Sequence, residues 1–153
     1  MDKQDKELLL KDLCARLPYG VIFKRHVTND SWKWRLVGID DYKRGMVMLK
    51  PVEDKIIERP FYIEDKVVQP YLRPMSSMTD EEFGFLQEHL PYDFTRVYSG
   101  KFDLINDIHV GNSISIDDIA FLLDCLNKWH FDYRGLIPMD FALPAPEGMY
   151  DFK

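Results

Sequence analysis

Two prolines near the middle of this chain set the strongest limit on its fold. They lie in Pro70-Tyr71-Leu72-Arg73-Pro74-Met75-Ser76-Ser77-Met78-Thr79. Proline fixes φ and pushes the preceding residue, here Gln69 and Arg73, toward extended backbone. The stretch divides the chain into unlike halves. Before it, short apolar runs are broken by Gly, Asn-Asp and Pro; after it come helical patterns with clear start signals. The expected role is a stiff extended connector that lays Tyr71, Leu72, Met75 and Met78 against both halves. At 153 residues the chain fits one domain. The expected organisation is a single domain over 1–153: helix plus sheet in 1–69, the junction in 70–79, and a helical half and tail in 80–153.

In the first half, residues 5–17 read as a helix. Leu9, Leu10, Leu13, Cys14 and Leu17 recur at helical spacing, and Lys6, Glu7, Lys11 and Asp12 take the other side. Pro18 stops the helix and Gly20 permits a sharp turn into a strand. Val21-Ile22-Phe23 and Val27 form a β-prone run, closed by a turn at 28–31. From Trp32 to Ile39 the pattern alternates. Trp32, Trp34 and Leu36 point one way; Lys33, Arg35 and Val37 point the other. A second turn at 40–45 leads to a strand at 46–49, ended by Pro51. Phe61-Tyr62-Ile63 is a further short strand, and Val67-Val68 leads to the junction. Short strands with turns between them predict an antiparallel meander, either a curled sheet or a small partly open barrel.

In the second half, Thr79-Asp80-Glu81-Glu82 matches the capping box, with Thr79 as N-cap and Glu82 three positions on. Phe83, Leu86 and Leu90 share one side of that helix, and Pro91 ends it. Residues 92–112 favour neither period and read as an ordered loop with one short strand or helical turn near 102–108. Ser115 caps a last helix running to about Trp129, with Ile116, Ile119, Ala120, Leu123 and Leu126 as its expected buried stripe. The tail, 138–153, carries Phe141, Leu143, Met149, Tyr150 and Phe152, too apolar for a loose end. The predicted class is α+β: an N-terminal helix, the antiparallel meander or small partly open barrel, then two helices and a docked C-terminal tail.

The formal net charge is −6, from 20 Lys and Arg against 26 Asp and Glu. That balance speaks against a protein whose main affinity is for phosphate backbones, and fits solubility or a basic partner. Cys14 and Cys125 both fall in predicted helices among apolar neighbours and read as buried free thiols. The start is charged, with no apolar stretch after it, and no later run is long enough to span a bilayer. The expected setting is cytoplasmic, with no membrane contact.

Four stretches carry a resemblance: Leu13-Cys14-Ala15-Arg16-Leu17-Pro18-Tyr19-Gly20-Val21, Tyr71-Leu72-Arg73-Pro74-Met75-Ser76-Ser77-Met78-Thr79, His130-Phe131-Asp132-Tyr133-Arg134-Gly135-Leu136-Ile137, and Ala145-Pro146-Glu147-Gly148-Met149-Tyr150. Together they resemble an uncharacterised group of small proteins from gut bacteria of the Bacteroides type and from their phages and prophages. The resemblance brings no activity with it. It implies a cytoplasmic bacterial protein carried by a mobile element.

Two candidate binding surfaces stand out. Trp32, Trp34 and Arg35, with Lys33 between them and Lys43 and Arg44 in the next turn, place aromatics beside cations, as a nucleic-acid face does. The structural alternative is that the tryptophans face the core and the cations are solvated. Asp132, Tyr133 and Arg134, with His130, form the densest polar cluster. An Arg fork there can hold a carboxylate or phosphate. The structural alternative is a helix exit, with His130 near the last carbonyls, Gly135 in a permissive turn, and Asp132 paired to Arg134 or Arg73.

Asp103, Asp107 and His109 are metal ligands by type, but their spacing matches no named site, so no metal is expected. Neither Gly-x-Ser-x-Gly nor a Gly-rich nucleotide loop is present. No catalytic residue and no cofactor are assigned. The leading expectation is a non-catalytic module that binds another protein. A small nucleic-acid-binding domain using the Trp32/Trp34 strand comes second, and a small hydrolase or ligand-binding enzyme at Arg134 third.

Overall fold

The computed structural model describes residues 1–26, 32–53, 57–64, 66–90 and 115–150. These fall into two compact units: Met1–Leu72 with Arg134–Ala145, and Arg73–Tyr133 with Pro146–Lys153. The division lies inside the 70–79 stretch, between Leu72 and Arg73. The α+β class holds: the described residues form an N-terminal helix, a six-stranded sheet and two further helices.

The first unit opens with α1 (Lys3–Arg16). It starts earlier than expected because Asp2 and Asp5 cap it reciprocally. Asp2 Oδ1 accepts from the Asp5 N–H at 2.8 Å, and Asp5 Oδ2 accepts from the Asp2 N–H at 3.2 Å. Aspartate thus fills the place usually taken by Glu or Gln. Leu9, Leu10 and Leu13 are buried as expected, but Cys14 is exposed. Asp12 and Arg16 turn inward instead. Their burial is tolerable because Arg16 clamps Asp12 through Nε at 2.6 Å and Nη2 at 2.9 Å.

Gly20, at φ 64°, then turns the chain into the sheet. The strands are β1 (Ile22–Arg25), β2 (Lys33–Asp41), β3 (Met46–Pro51), β4 (Arg59–Tyr62), β5 (Val68–Leu72) and β6 (Leu143–Pro144), in spatial order β4-β3-β2-β1-β5-β6. The first five pair antiparallel, and β6 runs parallel to β5. The sheet is therefore mixed and open, which removes the barrel alternative.

The first part of the expected connector is itself β5. A proline inside a sheet needs its missing N–H to face away from a partner. The His26 N–H donates to the Val67 carbonyl at 2.8 Å. Antiparallel pairs alternate between bonded and unbonded, so the Phe23/Pro70 pair is an unbonded one. Pro70 thus turns its nitrogen away from β1, and β6 begins only opposite Tyr71.

In the second unit, α2 (Asp80–His89) carries the expected box: the Glu82 N–H donates to Thr79 Oγ1 at 3.2 Å, and Glu82 Oε2 accepts from the Thr79 N–H at 2.9 Å. The last helix, α3 (Ile116–Lys128), is capped by Ser115 and Asp118. Its expected stripe is wrong except at Leu126. Ile116 is 85% exposed, and Ile119, Ala120 and Leu123 are exposed too. Leu122, Cys125, Leu126 and Trp129 are buried, in one cluster with Leu86, Leu90 and Phe131. Both stripes have helical spacing. The core uses the one that continues through Trp129 into the helix exit.

That exit is a Schellman turn with histidine at the left-handed position. His130 sits at φ 60°. Its N–H donates to the Asn127 carbonyl at 3.1 Å, and the Phe131 N–H donates to the Leu126 carbonyl at 2.9 Å. Residues 92–112 lie outside the described residues.

Candidate binding face

Alternation gives the sheet of the first unit two unlike faces. Phe23, Trp34, Leu36, Val47 and Leu49 are buried on one. The other is open over β2 and β3, whereas Ile22 of β1 and Gln69 of β5 are buried on it, and register concentrates charge on the open part. Lys24 of β1 stands directly opposite Lys33 of β2. Arg35 of β2 stands directly opposite Lys50 of β3. All four are exposed. Among the described residues none of them forms an ion pair. Like charges directly opposite destabilise a sheet. In a chain of net charge −6, acids to pair them are plentiful.

The cations are interleaved with apolar side chains. Along β3 and its extension the open face runs Met48, Lys50, Val52; along β2 it runs Lys33, Arg35, Val37. Val52 is held beside β2 by its N–H, which donates to the Lys33 carbonyl at 2.9 Å. Gly20 makes room for Arg35: a Cβ there would lie 2.9 Å from Arg35 Cδ. The arginine stem therefore lies against bare backbone while its head stays in water. At the end of β2, a pocket of about 220 Å3 is lined by Trp32, Lys33, Pro51 and Glu53.

The other residues singled out from the sequence take different places. Trp34 is only 3% exposed and meets Phe61 edge-on, with ring centroids 5.3 Å apart. Trp32 is 48% exposed. The two tryptophans do not form one stacking surface. Lys43 and Arg44 lie in the turn at the far end of β2 from Lys33 and Arg35. There Arg44 closes its own turn: Nε lies 3.4 Å from Asp41 Oδ2, and its N–H donates to Asp41 Oδ1 at 3.1 Å.

The second expected cluster is divided between the two units. Arg134 belongs to the first, where its Nε lies 3.2 Å from buried Asp12 Oδ1. Arg73 belongs to the second. It grips buried Glu82 with both terminal nitrogens, and its head lies 4.2 Å from the Phe131 ring centroid. The Asp132 N–H donates to the Arg73 carbonyl at 2.8 Å. Tyr133 donates its hydroxyl to Asn127 Oδ1 at 3.0 Å. His130 stacks on Tyr150 at 4.0 Å. In these contacts Arg73, His130, Asp132, Tyr133 and Arg134 hold the chain together.

Lys24 and Lys50 escaped the sequence reading. Counted outward from the 42–45 turn without interruption, Lys50 would fall opposite Val37. Two bulges, between Leu36 and Gly38 and between Ile39 and Asp41, bring it opposite Arg35. Among the described residues no group of three or more His, Cys, Asp or Glu is placed to hold a metal ion. Asp103, Asp107 and His109 lie outside them. No helix among the described residues is long and apolar enough to cross a membrane. Compared with models of known protein families, with curated proteins and with solved structures, the chain matches none.

Proposed function

We propose that this chain is a non-catalytic binding module that acts by contact with another macromolecule through the open face of its sheet. One observation carries the reading: Lys24 opposes Lys33 and Arg35 opposes Lys50 across strands, and among the described residues none of the four forms an ion pair. Such an arrangement costs stability, and a ligand that supplies the missing negative charge offsets the cost. The resemblance to small proteins of Bacteroides-type bacteria and their phages and prophages supports a cytoplasmic accessory role on a mobile element.

Retention on a sulfated polysaccharide matrix at low salt tests the reading. A protein of net charge −6 without a functional basic face flows through. The wild type is expected to be retained, and the double variant Lys33→Glu/Arg35→Glu to elute in the void. Equal behaviour of the two proteins would reject this face as the contact surface.

A further inference from the structure

We infer that the occupant of the open face is an acidic segment of another protein in which carboxylates are interleaved with apolar side chains. The inference rests on the contact reading above and adds the chemistry of the partner. The face does not present cations alone. Lys50 lies between Met48 and Val52 along β3 and its extension, and Arg35 lies between Lys33 and Val37 along β2. Neighbours two apart on a strand are separated by about 6.7 Å, so Arg35 and Lys50 each have an apolar group within one side-chain length. Protein interfaces mix Arg, Met and apolar contacts in this way.

A nucleic-acid face needs other features. It tracks a phosphate backbone with a continuous basic groove and stacks bases on exposed aromatics. Trp34, which would have to stack, is on the buried face. Two exposed aromatics stand near the cations: Trp32, alone beside Lys33 at the end of β2, and Tyr62 of β4, opposite Met46 and four residues along β3 from Lys50. That is roughly 13 Å of strand. Strand addition at the outer edge is blunted by Pro60 in β4, which leaves the side chains of the face to make the contact.

The test is fluorescence anisotropy on the full chain at low salt with three labelled probes. The first is an acidic peptide with leucine at every fourth position. The second is the same peptide with serine for leucine, and the third is a single-stranded oligonucleotide of equal charge. The leucine-bearing peptide is expected to bind most tightly. Serine for leucine weakens it several-fold, and Lys33→Glu/Arg35→Glu weakens it by about tenfold. The double variant converts both like-charge pairs into opposite-charge pairs, so its melting temperature holds or rises, and lost binding is not lost folding. Tighter binding of the oligonucleotide, or equal binding of the two peptides, would overturn the partner chemistry while leaving the face as a contact surface. Self-association in sedimentation that disappears in the double variant would also overturn it, because the occupant is then a second copy. Binding of every probe unchanged by the double variant would overturn the contact reading itself.

Discussion

Buried arginine and exposed cations within the first unit show one kind of charge put to opposite uses. Arg16 is fully buried, and Asp12 answers it through two hydrogen bonds while also meeting Arg134. Lys24, Lys33, Arg35 and Lys50 are exposed, crowd one another across strands, and form no ion pair among the described residues. Burial allows no uncompensated charge, so the inner set is built to hold the fold. Water tolerates uncompensated charge at small cost, so the outer set is free to serve a partner. The second unit repeats the inner pattern with Arg73 on buried Glu82, which also caps α2. Of the arginines marked out in the sequence, Arg73 and Arg134 meet buried carboxylates, whereas Arg35 stays exposed.

The contrast can be broken experimentally. The largest effect is expected at Asp12→Ala, which leaves buried Arg16 without its carboxylate and costs about 3–5 kcal/mol in chemical denaturation. A loss below about 1 kcal/mol would mean that the inner set is no more structural than the outer. Lys33→Glu should act in the opposite sense. It turns the Lys24/Lys33 repulsion into an attraction and raises stability by about 0.2–1 kcal/mol. Destabilisation by Lys33→Glu would show that the outer charges hold the fold after all.

The smallest effect concerns an exposed pair with a real partner. Lys66 hydrogen-bonds Asp140 and, with its charge, holds that carboxyl below the usual carboxylate value of 3.8. The folded state thus favours the ionised form. The stability this contributes is complete above that value and is lost as pH falls through it toward the lowered one. Melting curves from about pH 5 to about pH 3 should therefore fall less steeply for Asp140→Asn than for the wild type. Parallel curves would remove Asp140 from the acid limb.

The parts of this protein that short-range chemistry governs were readable in its residues. Thr79 with Glu82 and Ser115 with Asp118 satisfy helix ends within one turn, and those caps form as written. Strand alternation separates Trp34 and Leu36 from Lys33 and Arg35 because the pleat has a period of two. Tertiary structure decided the rest, because the choice lay between locally equal options. Ile116 and Leu122 begin stripes of the same spacing on α3, and only the surrounding core distinguishes them. Asp12 looks like a solvent-facing residue until Arg16 and Arg134 surround it. The pairing of Arg35 with Lys50 depends on two bulges, each a one-residue slip that no local pattern announces. The chain thus specified its cations and its strands. The register that makes them one face comes from long-range pairing, where a shift of one residue moves every side chain to the other side.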